Sequence, residues 1–166
     1  MRFTLIDRIT ALNPGVSITA VKGLTLAEEY LQDHFPRFPV MPGVLMLEAM
    51  FQASAWLIYR TEDFAHSAVF LKEARNVRYG DFVQPGQTLT VTAEYFKQDE
   101  ETTTLKTQGL IDASVAVSAR LVLERFNLGE RYPDRAATDL HVCRKLRDKF
   151  KLLYRPLAVS VDLTQN

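Results

Sequence analysis

Between Val44 and about Tyr59 runs a stretch without glycine or proline and with few polar interruptions. Val44, Leu45, Met46, Leu47, Ala49, Met50, Phe51, Ala53, Ala55, Trp56, Leu57 and Ile58 are all apolar. Its length and its Leu, Met and Ala content favour helix over strand. A helix that is apolar all round must be surrounded by protein. Glu48 and Gln52 break the run, so no segment reaches the roughly 18–20 apolar residues that span a bilayer. The rest of the chain must therefore supply a wrapping for one helix.

Residues 67–126 read as β structure. Thr88 to Phe96 alternates polar and apolar residues, and Thr103 to Leu110 and Ser114 to Leu123 do so more loosely. Turn signals at Gln84-Pro85-Gly86-Gln87, Gln98 to Glu101 and Asp112-Ala113-Ser114 recur at a spacing of roughly 8–12 residues, as in an antiparallel meander. Phe3 to Leu24 alternates on both sides of Asn13-Pro14-Gly15, which predicts two more extended segments. Thr25 and Glu28 match a capping box, with Leu26, Ala27, Tyr30 and Leu31 as the apolar face of a short helix. These elements predict an α+β fold, a curved antiparallel sheet around one long helix.

The composition changes after Asn127-Leu128-Gly129. Residues 138–153 predict a basic amphipathic helix, with Leu140, Val142, Cys143, Leu146, Phe150 and Leu153 near helical spacing. We expect one domain over residues 1–126 and a basic C-terminal extension, 127–166, packed on the same domain and covering a sheet edge.

The 166 residues suffice for one domain with a substantial core. Twenty Lys and Arg against 20 Asp and Glu give no net charge, which argues against a nucleic-acid binder. The balance is uneven: residues 131–155 hold eight basic and three acidic side chains, so +5, against −5 for the remainder. The single cysteine, Cys143, excludes an intramolecular disulfide and fits a reducing compartment. Three histidines and one cysteine are few for a structural zinc site, and His141 with Cys143 alone would not make one. The segment MRFTLIDRIT lacks the apolar region of a signal peptide, and a cytoplasmic location is expected.

Three residues stand out chemically. Glu48 interrupts the buried helix, where an ionised carboxylate is costly unless hydrogen-bonded. Such a group serves either as a general acid or base or as a structural carboxyl tied to a loop. His34 lies in Asp33-His34-Phe35-Pro36-Arg37-Phe38-Pro39-Val40-Met41-Pro42-Gly43, a loop whose three prolines within seven residues exclude a helix interior or central strand. Its rigidity suits a catalytic base, although a lone histidine is more often a packing or surface residue. Gly43 opens the helix, where free backbone N–H groups favour a developing oxyanion. A plain loop-to-helix junction is the alternative.

Taken together, His34-Phe35-Pro-x-x-Pro39-x-Met41-Pro42-Gly43-Val44-Leu45-x-x-Glu48-Ala49-x-x-Gln52 closely resembles the active-site signature of the FabZ-type (3R)-hydroxyacyl-[acyl-carrier-protein] dehydratases. Val83-x-Pro85-Gly86-Gln87-x-Leu89 resembles that family's later turn into a long strand. The resemblance implies a hotdog fold, a homodimer or a trimer of dimers, and sites in which the histidine and the glutamate come from different subunits. It implies that His34 is the catalytic histidine, Glu48 the catalytic carboxylate and Gly43 the donor to the thioester carbonyl. The implied reaction removes water from a 3-hydroxyacyl thioester carried on acyl carrier protein, without metal or redox cofactor. An apolar tunnel for the acyl chain is expected among Phe35, Met41, Val44, Phe70 and Phe82. Gln52, one turn after Glu48, is also expected near the substrate and can orient the Glu48 carboxyl. A thioesterase, an enoyl-CoA hydratase and a non-catalytic subunit are the competing readings.

The chain departs from the pattern at three places. Asp33 and Arg37 stand where the family usually carries glycine, and Tyr79-Gly80-Asp81-Phe82 replaces a stretch typically rich in arginine, with Arg75 and Arg78 nearby. If position 33 needs a positive φ, aspartate tolerates it only at a cost.

Overall fold

A computed structural model describes residues 4–156. In chain order it contains β1 (Arg8–Asn13), β2 (Ser17–Gly23), α1 (Gly43–Thr61), β3 (Ala68–Tyr79), β4 (Thr88–Gln98), β5 (Thr102–Ile111), β6 (Ser114–Phe126), α2 (Leu128–Arg131) and α3 (Ala136–Leu153). The strands form one sheet in the order β1-β2-β4-β5-β6-β3, antiparallel throughout. The first hairpin turns at Asn13-Pro14-Gly15, where Gly15 adopts φ +73°. The loop from Gln84 to Gln87 leads into β4, and the turns near residues 99–101 and 112–113 join β4 to β5 and β5 to β6, as the sequence predicts. The sheet curls around α1 in the α+β hotdog arrangement.

Burial follows the two periodicities. Met46, Met50, Ala53 and Leu57 recur at helical spacing on α1 and are fully buried. They belong to one core with Ile18 and Ala20 of β2, Leu89, Val91 and Ala93 of β4, Leu105 of β5 and Leu121 of β6. On β2, β4 and β5 the inward residues alternate with more exposed ones. Gly109 of β5 is tightly packed: a Cβ there would lie 2.7 Å from Val117 Cγ1 and 2.9 Å from Leu89 Cδ1. Gly109→Ala should therefore destabilise the fold by about 1–3 kcal/mol through overpacking. Urea unfolding measures this directly, and an unchanged midpoint would mean that the Leu89 and Val117 side chains make room freely.

Two local expectations are corrected. Residues 25–32 form no capping box; only a short 3₁₀ turn, Glu29–Gln32, appears. The Glu28 carboxylate is drawn instead to buried Lys22, whose Nζ donates to Glu28 Oε1 at 2.6 Å and lies 3.5 Å from Asp7 Oδ1. A buried ammonium needs a counter-charge more than a helix end needs a cap. Position 33 needs no positive φ: Asp33 sits at φ −104°, ψ −17°, where any residue is comfortable.

α3 buries Cys143, Phe150 and Leu153 but leaves Leu140 82% exposed, so Leu140 is not part of its packing stripe. Phe150 packs against Trp56 of α1 and Phe64, at ring-centre distances of 6.1 and 5.7 Å. The helix thus covers the C-terminal half of α1 rather than only a sheet edge. The edge strand β1 is touched just beyond α3, where Arg155 N–H donates to Ile9 O at 3.0 Å. Asp139 anchors the other end of α3, accepting from the Ser67 hydroxyl and from the Leu128 and Gly129 N–H groups. The Ser67 hydrogen bond, with help from those two amides, holds its carboxyl below the usual aspartate range. No helix of the described residues is long and apolar enough to cross a membrane.

Candidate active site

The proline-rich loop delivers His34 to the start of α1. His34 is half-buried, and its Nδ1 lies 3.0 Å from the carbonyl oxygen of Val40. A carbonyl can only accept, so in this bond Nδ1 carries the proton. The neutral ring then keeps its lone pair on Nε2, as a general base requires. Val40 N–H returns a bond to His34 O at 3.1 Å, so the loop closes on itself and fixes the ring. Phe35 stacks on the imidazole with centres 4.3 Å apart, and the His34–Phe35 peptide bond is cis.

Pro42 caps α1 and Gly43 is its first residue. Leu45 and Met46 N–H groups turn back to Pro42 O, whereas the Gly43 and Val44 N–H groups precede any intrahelical acceptor. They point from the positive end of the helix dipole, a suitable place for negative charge. The ring of Tyr79, at the end of β3, closes over Gly43 so tightly that a Cβ would meet Tyr79 Cε1 at 2.9 Å. A larger residue at position 43 would have to displace the Tyr79 ring.

Glu48 sits in the second turn of α1, half-buried. Gln52, four residues on, has a fixed orientation. Leu5 N–H donates to Gln52 Oε1 at 3.0 Å, so the amide nitrogen faces Glu48 and donates to Oε1 at 2.9 Å. One carboxyl oxygen of Glu48 is thereby held in place.

The other expected residues are distributed unevenly. Met41 is buried and donates its N–H to Val83 O at 2.9 Å, tying the loop to the segment before β4. Phe35 and Phe82 are about half exposed and Val44 is 68% exposed. Phe82 meets Phe38 edge-on at 5.7 Å, forming an aromatic rim that includes a residue not singled out from sequence. Phe70 is not brought to the His34 loop. It lies nine residues along β3 from Tyr79, roughly 30 Å at strand rise, and packs edge-on against Phe126 at 5.3 Å. Val40 and Tyr79 also escaped sequence reading: the first acts through its backbone carbonyl and the second arrives by strand register. His141 is exposed and Cys143 buried, and among the described residues no cluster of His, Cys, Asp and Glu is arranged for a metal ion. Burial pushes the Cys143 thiol up, which makes it a poor nucleophile.

The arrangement offers a base with a defined tautomer, backbone donors at a helix start, and a carboxyl steadied by an amide. Comparison with known proteins is consistent with that chemistry. Residues 1–120 match the profile of the FabA-like domain. The 3-hydroxyacyl-[acyl-carrier-protein] dehydratase FabZ of Levilactobacillus brevis is 40% identical over 115 residues, 69% of this chain and 78% of that protein. Among solved structures, the dehydratase heterocomplex ApeI:P from Xenorhabdus doucetiae superposes with a TM-score of 0.65 at 19% identity, covering 77% of this chain and 86% of that one. A mutant of thioesterase PA1618 from Pseudomonas aeruginosa gives 0.59 at 16% identity, covering 73% and 81%. At such identities the structural likeness establishes the hotdog fold alone.

Proposed function

The chain belongs to the FabA-like family, and from that premise we infer that it is a 3-hydroxyacyl-[acyl-carrier-protein] dehydratase of the FabZ type, serving fatty-acid or related lipid biosynthesis. The observation that carries the reading is the paired orientation of its two reactive groups: His34 presents Nε2 because Val40 O accepts the hydrogen bond from Nδ1–H, and Gln52 steadies the Glu48 carboxyl.

The reaction is an elimination. The thioester carbonyl rests against the Gly43 N–H, which makes the adjacent Cα proton more acidic and stabilises the enolate-like charge. His34 Nε2 removes that proton. The electron pair of the Cα–H bond becomes the Cα=Cβ double bond, and the Cβ–O bond breaks. Glu48, as the acid itself or through a water it orients, supplies a proton to the departing hydroxyl, which leaves as water. The product is the trans-2-enoyl thioester, and the reverse hydration uses the same groups.

A homodimer with shared sites is part of this reading. β3 is a sheet-edge strand of twelve residues, exposed over most of its length after the buried Ala68 and Val69, including Phe70, Leu71 and Tyr79. A long, bare, partly apolar edge invites pairing with another strand. Val44 on α1 is exposed as well. A second copy would cover both, and could supply the histidine for one glutamate. Arg37 stands exposed in the His34 loop, a basic side chain suited to an acidic carrier protein. The lone buried thiol supports a cytoplasmic setting.

The test follows both possible fates of the thioester. With 3-hydroxyacyl carrier protein as substrate, absorbance of a conjugated enoyl thioester should rise with no release of free thiol. Thiol release without enoyl formation would instead make the chain a thioesterase.

A further inference from the structure

A groove continues from the Glu48–Gln52 pair. It has a volume of about 180 Å³, its walls formed by Phe51, Gln52, Ala55, Trp56 and Tyr59 of α1 together with Val69 of β3, and Lys149 of α3 stands at its margin. Glu48, Gln52, Ala55 and Tyr59 follow one another at helical spacing and share one stripe of α1. The stripe runs about 16 Å from Glu48 to Tyr59 at 1.5 Å per residue. Its floor is apolar and fixed: Trp56 is 6% and Val69 4% exposed. The Tyr59 phenol is pushed up to about 12 by burial, despite a hydrogen bond with the Val69 backbone. At the far end α3 lies across it. Lys149 Nζ sits 5.9 Å from the Trp56 ring centre, and the neighbouring Phe150 packs on the same ring. α3 lies outside the residues 1–120 shared with the FabA-like domain, so this end wall belongs to the appended segment.

We propose that α3 closes the acyl-chain site, and that Lys149 sets the longest chain this protein accepts. The inference rests on the dehydratase reading, because it places the β-hydroxyl at Glu48. Beyond the β-carbon the acyl chain must lead away from the thioester. The apolar groove adjoining Glu48 is on the same α1 whichever protomer supplies His34. Each methylene laid against Phe51, Ala55 and Trp56 strengthens binding by about fourfold, the effect of removing one CH₂ from water. At Lys149 that gain stops, since a further methylene meets an ammonium that must keep its water. The substrates are therefore acyl chains of limited length with apolar ends.

Trp56 is the single tryptophan of the chain, so its emission reports occupancy of the groove without any need for turnover. Saturated S-acyl pantetheines of increasing length, which have no hydroxyl to eliminate, are titrated into the full-length protein. Affinity read from Trp56 should climb by about fourfold per methylene and then level off. Lys149→Ala should move the plateau to longer chains, whereas Lys149→Arg, which keeps the cation, should leave it in place. A plateau unmoved in Lys149→Ala, or Trp56 emission indifferent to every acyl length, overturns the proposal. The two readings fail separately. Length-dependent Trp56 titrations in a protein that forms no enoyl thioester would refute the dehydratase assignment alone. Enoyl formation with a silent Trp56 would refute the groove alone.

Discussion

Replacing His34 by alanine, or Glu48 by glutamine, should each slow dehydration by about 10²–10⁴-fold, the usual contribution of a positioned general acid or base. Both changes leave the scaffold intact for identifiable reasons. His34 lies in a loop outside the core formed by Met46, Met50, Leu57 and their strand partners, and its ring packs chiefly against the half-exposed Phe35. Glu48→Gln preserves volume, and the new amide oxygen still accepts the hydrogen bond from Gln52 Nε2. What it removes is the acidic proton that the leaving hydroxyl needs. The measurement is initial rate on a 3-hydroxyacyl thioester, with thermal unfolding followed by circular dichroism as the control. Wild-type turnover in either variant would withdraw the corresponding role. A loss of activity accompanied by a lowered unfolding temperature would point to structure rather than chemistry.

How far the sequence reached depends on the range of the interaction concerned. The helix 43–61, the strands β4, β5 and β6 and their turns were legible because each rests on a local pattern: an apolar run without breakers, period-two alternation, and Pro-Gly or Asp-Ala-Ser punctuation; β3, which does not alternate, was covered only by the general β reading of residues 67–126. Non-local effects were not legible. Glu28 abandons its capping role because Lys22, near the end of β2, is buried and needs a carboxylate, a demand set by how the sheet packs around it. α3 settles over Trp56 of α1 and Phe64 of the following loop because its Phe150 ring packs against both, which its own helical spacing could not announce.

The same divide runs through the site. Residues 34, 43 and 48 could be singled out because they fall within one short segment of unusual composition. The carbonyl of Val40, which decides the tautomer of His34, carries no side-chain signature at all. Tyr79 comes 36 residues after Gly43 and reaches it only through the register of β3 against β6. Phe70 looked eligible as an apolar residue of the right kind, but it is opposite Glu124 at the distant end of the same strand.

Mixing the two inactive variants should restore activity, and the amount is fixed by symmetry. If each site draws His34 from one protomer and Glu48 from the other, a mixed dimer of His34→Ala and Glu48→Gln contains one doubly damaged site and one wild-type site. Random exchange makes half of the dimers mixed, so the population should recover about one quarter of wild-type activity. If both groups instead came from a single protomer, every site in every dimer would lack one of them, and mixing would recover nothing. The exposed β3 edge, with Phe70, Leu71 and Tyr79 along it, supplies a surface through which protomers could meet. Tyr79 also touches Gly43, so pairing along this strand would bring the partner close to the donor end of α1. Exchange is achieved by co-expressing the two variants with different affinity tags and purifying through both in turn. That procedure isolates mixed dimers, for which the recovery should rise to about one half. Doubly tagged dimers that stay inactive would confine each site to one chain, and the dimer would then have no part in catalysis.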